Sequence, residues 1–306
     1  MKGLQWLATV MFVAAGIALL CSSGHAEGMG VGAYAPTRFT VTDAGTAGKP
    51  DVVLIPGLAS SKSVWDAEAK LLAPNYSLHL VQVNGFAGAP AGANGAGAEG
   101  TMLPGIVEEL HGYIAATKMH PVVVGHSLGG LLALMLAEKH PGDVRKMVIV
   151  DTLPYYAVLF NPGATVETTK PMAEGIKAHM MSMPAEEYAA GEKTMLEGMS
   201  KTDAGQKAIY ESSVASDTKV VAEALCEDLL TDMRGEVGSI QTPTLVLYEY
   251  PTNGAEAAGA GKYEEGIKAD YKPMPHVTLV KMDGARHFIM YDEPAQFDAA
   301  MEGFLK

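Results

Sequence analysis

Gly125-His126-Ser127-Leu128-Gly129 is the stretch of this chain best suited to carry chemistry. It follows the apolar run Val122-Val123-Val124 and precedes Gly130-Leu131-Leu132-Ala133-Leu134-Met135-Leu136-Ala137. A serine between glycines therefore stands where a buried-strand pattern gives way to a helix pattern. A strand that turns sharply into a helix strains its corner residue, and side chains do not fit where the two elements nearly touch. The corner hydroxyl is then exposed at the carboxyl edge of the sheet, beside the positive end of the next helix. A serine hydroxyl is a weak nucleophile near neutral pH and needs a base within hydrogen-bond reach. His287, in Asp283-Gly284-Ala285-Arg286-His287-Phe288, is the candidate base, because the loop after a late parallel strand opens on the same edge as Ser127. The other histidines are worse placed. His126 belongs to the turn itself and reads as pointing away, His120 and His140 flank prolines, and the rest lie within helix or strand patterns or at the amino terminus.

The surrounding elements must hold these groups. Phe39-Thr40-Val41, Asp51 to Ile55, Ser77 to Val83, Val122 to Val124 and Lys146 to Val150 read as strands. Helix patterns occupy Val64–Leu72 and Leu103–Lys118 and follow Ser127, while the Gly/Ala stretch Asn84–Gly100 reads as a loop. This alternation predicts an α/β fold with a mostly parallel sheet and helices on both faces. The rhythm breaks at Thr152. Up to about Gly238 only helix-like segments occur, around Met172–Met183, Ala185–Gly198, Asp203–Val214 and Thr218–Met233. Strand patterns resume at Pro243–Tyr248 and His276–Met282, and a helix from Ala295 to Leu305 closes the chain behind Pro294. The expected organisation is a core of 27–151 and 239–306, with an inserted helical cap over 152–238.

These landmarks resemble the α/β-hydrolase fold family, serine hydrolases with a helical cap, from about residue 37 to the end. The resemblance rests on Leu54-Ile55-Pro56-Gly57-Leu58-Ala59-Ser60-Ser61 after an early strand, on Gly125 to Gly129, on the late His287 and on Asp292-Glu293-Pro294 before the last helix. It implies an oxyanion hole from the backbone N–H groups of Leu58 and Leu128; Pro56-Gly57 replaces the His-Gly of many members but leaves the Leu58 N–H available. It also implies an acid to orient His287. The usual place, after Leu245 to Tyr248, holds Glu249-Tyr250-Pro251 and no aspartate, with Glu256 further on. Some members carry the acid after the preceding strand, where Asp151 stands. Asp151 is the expected acid and Glu249 the alternative. By position, Trp65, Phe86, Tyr155, Tyr156, Phe160 and Phe288 are pocket candidates for an apolar acyl or alcohol group.

The implied activity is carboxylic-ester hydrolysis of small apolar esters through an acyl-enzyme. The alternatives are a carbon–carbon bond hydrolase or perhydrolase, or a non-catalytic binding protein that lost its acid. No metal-ligand spacing, dinucleotide fingerprint or phosphate loop is present, so no cofactor and no metal are expected. The net charge of −13 argues against nucleic acid and anionic membrane surfaces as partners. Of 18 methionines, several cluster between Met172 and Met199, as helix core or as an adaptable apolar lining. Lys2, the apolar run Leu4–Leu20 and Gly24-His25-Ala26 read as an export signal cleaved after Ala26, which would remove Cys21, rule out an intramolecular disulfide to Cys226 and place the mature chain in the periplasm or outside the cell.

Overall fold

The computed structural model describes residues 34–95, 100–253 and 258–306. The expected leader and Glu256 lie outside them. Seven strands form one sheet in the order β1-β3-β2-β4-β5-β6-β7. They are β1 (Phe39–Gly45), β2 (Asp51–Ile55), β3 (Ser77–Val83), β4 (Val122–His126), β5 (Lys146–Val150), β6 (Thr244–Tyr250) and β7 (Val277–Asp283). All neighbours run parallel except the edge pair β1 and β3. The central strands β2, β4 and β5 are buried almost throughout, which is why they read as unbroken apolar runs and not as alternating ones.

Strand order decides where the chemistry can sit. From β2 the chain steps outward to β3 and then returns to place β4 on the other side of β2, so the order reverses between these two neighbours. Ligands of open α/β sheets bind at such a reversal, beyond the carboxyl ends of the strands. The ends of β2 and β4 are in register, with Ile55 opposite Gly125, and β5 follows with Val150 opposite His126. The turns carrying Leu58, Ser127 and Asp151 are thereby side by side before any side chain is considered.

Helices α1 (Asp66–Leu72), α2 (Met102–Thr117) and α3 (Leu128–Lys139) pack among these strands, and α3 is apolar nearly all round because it is buried nearly all round. Between β5 and β6 lie α4 (Val166–Ser182), α5 (Ala185–Leu196), α6 (Asp203–Val214) and α7 (Thr218–Leu230). Helix α4 begins six residues before the expected Met172. Thr165 and Thr168 form a reciprocal capping box there, and Pro171 inside the helix forgoes the intrahelical bond its N–H would have made. From α7, Glu227 accepts the Met102 and Leu103 N–H groups at 2.8 and 2.7 Å, tying α7 to the start of α2. Helix α8 (Ala260–Tyr271) precedes β7, and α9 (Ile289–Asp292) and α10 (Pro294–Leu305) follow it. No described helix is long and apolar enough to cross a membrane.

One buried group opposes stability. Glu68 of α1 is 1% exposed, and among the described residues neither carboxyl oxygen has a hydrogen-bond partner. Burial, helped by the nearby Asp298 and Asp66, raises its pKa from 4.5 to about 7. A folded value above the unfolded one means that folding favours the neutral acid, so stability present below pH 4.5 is lost as pH rises toward 7. That rise corresponds to about 3 kcal/mol. Glu68→Gln is therefore expected to raise the melting temperature by several degrees at pH 8 and to leave it nearly unchanged at pH 4.5. A thermal-denaturation series across that range checks this, and an equal shift at both pH values would refute it.

Candidate active site

Ser127 occupies the corner between β4 and α3 with φ 51° and ψ −123°, a strained region for a residue with a side chain. Its N–H donates to Val150 O at 2.9 Å, and Thr152 Oγ1 donates to its carbonyl at 2.8 Å, so β5 fixes the corner from the side. The flanking glycines permit the approach. A Cβ on Gly125 would lie 2.2 Å from the Gly129 carbonyl oxygen, and one on Gly129 would lie 2.4 Å from that of Ile55. Both obstacles are backbone and cannot rotate away. Gly125→Ala is accordingly expected to destabilise the fold by about 3 kcal/mol, roughly 6–12 °C in Tm. Thermal denaturation measures this, and an unshifted transition would mean that the corner is looser than described.

At the end of β5 the backbone turns again at Asp151, with φ 49°, a conformation Asp tolerates better than most residues. Its buried carboxylate meets three donors. Oδ2 lies 2.7 Å from His287 Nδ1, while Oδ1 accepts the Glu249 N–H at 2.8 Å and the Tyr263 hydroxyl at 3.0 Å. Because the carboxylate only accepts, His287 carries its proton on Nδ1, leaving Nε2 as the basic nitrogen. Burial pushes His287 down, but the hydrogen bond and charge of Asp151, with the charge of Glu249, more than offset it and hold the imidazole above its ordinary value.

His126 lies beneath this pair. It is fully buried, its Nε2–H donates to the His287 carbonyl at 3.0 Å, and its ring centroid is 4.6 Å from that of His287. Burial and the neighbouring imidazole hold it far below the usual histidine range, so it stays neutral. The expectation that His126 points away is thus corrected: its ring lies against that of His287 and holds the His287 backbone carbonyl.

Two cavities of about 240 and 440 Å³ share Ser127, His287, Tyr156, Met199 and Asp228 in their walls. The larger reaches Leu58 and Leu128's neighbour Ser127 on the sheet side and enters the helices between β5 and β6 on the other, where Met180, Met183, Met195 and Met199 line it. Leu128 opens α3 at its first position, where a backbone N–H has no acceptor within the helix. Among the described residues Ser127 Oγ makes no hydrogen bond. Bonds between nucleophile and base are commonly long without substrate and tighten in the complex.

A family model described as the alpha/beta hydrolase family matches residues 52–300. The chain belongs to this family. Pimeloyl-(acyl-carrier protein) methyl ester esterase of Nitrosospira multiformis is 28% identical over 215 residues, covering 65% of this chain and 75% of that protein. The protein of the same name from Aeromonas hydrophila is 35% identical over 107 residues, 35% of this chain, and the match spans only 39% of that relative's length. Among solved structures, an esterase from Exiguobacterium antarcticum superimposes with a TM-score of 0.71 at 16% identity, covering 87% of this chain and 95% of that one. An enol-lactonase from Burkholderia xenovorans gives 0.69 at 17%, covering 87% and 96%.

In this α/β hydrolase, three of the six aromatic pocket candidates line the larger cavity: Tyr156, Phe160 and Phe288. The other three are corrected. Trp65 is fully buried and stacked on Phe297 of α10, with ring centroids 6.4 Å apart. Phe86 is fully buried in the core cluster that contains Phe39 and Val83. Tyr155 turns inward under α4, where its hydroxyl donates to Thr169 at 2.9 Å. Each follows a strand end, but its ring turns into the core, which offers more apolar contact than the solvent-facing cavity. Glu249 is next to the site, yet it meets Asp151 through its backbone N–H. Sequence reasoning missed Tyr263, because α8 was not expected at all. It also missed Asp228, which faces both cavities from α7.

Proposed function

We propose that this protein is a serine hydrolase that cleaves carboxylic esters through an acyl-enzyme. The reading is carried by the 2.7 Å hydrogen bond between Asp151 and His287, in walls shared with a strained Ser127. Ser127 Oγ attacks the ester carbonyl while His287 Nε2 takes its proton. The N–H groups of Leu58 and Leu128 stabilise the oxyanion, and His287 returns the proton to the departing alcohol. Water, deprotonated by His287, then attacks the acyl-enzyme, releasing the acid and regenerating Ser127. No cofactor enters these steps. The curated relatives named methyl ester esterases favour an ester over other acyl compounds.

The apolar lining suits a small acyl or alcohol group, and the helices over residues 152–238 serve in this reading as a cap over the site. The proposal includes export, with residues 1–26 as a cleaved leader; the amino terminus of protein recovered from the producing cell tests that part. The non-catalytic reading rests on the lack of an aspartate after Tyr248; in the present reading Asp151 supplies that carboxylate from the neighbouring strand.

Intact-mass analysis after exposure to a fluorophosphonate probe tests the mechanism. One adduct on the wild type and none on Ser127→Ala is expected, together with hydrolysis of a p-nitrophenyl ester panel. No adduct on folded wild type and no ester hydrolysis would overturn the reading.

A further inference from the structure

Asp228 is a carboxylate in a place where an apolar wall would favour leucine. It lies on α7 in the run Ala224-Leu225-Cys226-Glu227-Asp228-Leu229-Leu230, is 8% exposed, and lines both cavities beside Ser127 and His287. Among the described residues no donor hydrogen-bonds its side chain. Burial alone raises it to about 7, and its charge, after burial, helps to push the Tyr156 phenol to about 12. Leaving a buried carboxyl without a partner opposes folding. Such a cost at the wall of a substrate cavity points to a partner that arrives with the substrate.

The chemistry of the walls narrows that partner. The larger cavity contains a second carboxylate, Glu192 of α5, held by the Ser213 hydroxyl, and neither cavity has a lysine or arginine among its described lining residues. Lys177 of α4, the helix that contributes Ile176 and Met180, is engaged by Glu223 at 2.6 Å. An anionic substrate would meet like charge and no counter-charge. Tyr156 and Phe160 meet edge to face at 84°, with ring centroids 5.6 Å apart, making an aromatic corner beside the carboxylate. Aromatic faces and a desolvated carboxylate are complementary to an ammonium group, while a neutral donor would gain nothing from the rings.

We infer that the cavity selects esters bearing a cationic nitrogen, with Asp228 as the counter-charge and Tyr156 and Phe160 as the aromatic walls around it. This rests on the hydrolase reading only for the word ester; the binding preference stands apart from turnover. Ser127→Ala protein, which holds substrate without cleaving it, permits a direct measurement by calorimetry at pH 8. The probes are acetylthiocholine and its uncharged isostere, 3,3-dimethylbutyl thioacetate.

The cationic ester is expected to bind at least tenfold more tightly than the isostere, and the ratio to fall to near one in the S127A/D228N double variant. The isostere serves as the reference for an intact cavity in both proteins. Equal binding of the two probes to S127A would overturn the inference, and so would a preference that persists in D228N. If wild-type protein is neither labelled by the fluorophosphonate nor able to cleave either thioester, the hydrolase reading fails, while the binding ratio still decides the role of Asp228.

Discussion

Ser127→Ala is expected to lower kcat on a p-nitrophenyl ester by about 10⁶-fold with no loss of thermal stability. In the proposed mechanism the covalent bond to the acyl group forms at Oγ, so removing that one atom removes the acyl-enzyme and not merely a favourable contact. What survives is catalysis by the Leu58 and Leu128 N–H groups and by binding, typically 10³–10⁴-fold over water. Stability is expected to hold because alanine keeps the Cβ, and therefore the backbone strain at φ 51° is the same in both proteins. The hydroxyl also gives up no hydrogen bond within the described residues. The measurement pairs steady-state kinetics with a melting curve. Residual activity within a hundredfold of wild type, in a protein shown free of wild-type contamination, would mean that another group forms the covalent bond. A large fall in Tm accompanying the loss would point instead to a structural role for the corner.

The fold was legible where local sequence carries the whole instruction. Ser127 could be located because the corner needs small residues at fixed offsets, and Gly125 and Gly129 are forced by backbone oxygens only 2.2 and 2.4 Å from where a Cβ would stand. Strands β2 and β5 could be bounded from their apolar runs because burial on both faces leaves no polar alternation. The contact of Asp151 with His287 was reachable by a different route: the resemblance supplied two possible positions for an acid, and one of them was empty of aspartate. Helix α8 had a readable signal that was overlooked. Ala260, Tyr263, Ile267 and Tyr271 recur at helical spacing, and three of the four are fully or nearly fully buried. Glycine and charge between them concealed it, and with it went the hydroxyl that supports Asp151. Trp65, Phe86 and Tyr155 turn away from the cavity for a reason that no local pattern contains. Trp65 is held by Phe297, more than two hundred residues along the chain, and only the closed fold brings α10 against it. The methionine cluster was ambiguous because an adaptable lining and a helix core use the same residue type. The orientation of α4 and α5 toward Ser127 resolves it for the four methionines that line the cavity.

Asp151→Asn is expected to lower kcat by about 10⁴-fold, whereas Glu249→Gln is expected to lower it less than about tenfold. The difference follows from which atoms meet. Asp151 Oδ2 accepts the His287 Nδ1 proton at 2.7 Å, while Glu249 reaches the same carboxylate through its main chain and influences His287 through its charge. An asparagine can present its amide to Nδ1, turning the imidazole into the tautomer whose proton sits on the nitrogen that must act as base. The pH profile separates this from a mere loss of packing. His287 must be neutral to accept the serine proton, so activity appears as pH rises through its pKa. Burial lowers that value and Asp151 raises it by more, so removing the Asp151 charge should move the acidic limb of the residual activity to lower pH. Removing the Glu249 charge should move it in the same direction by a smaller amount. A substitution that only loosened the site would reduce the rate without displacing the limb. If Glu249→Gln abolished activity and Asp151→Asn spared it, the acid would belong to β6, and the hydrogen bond at 2.7 Å would be structural.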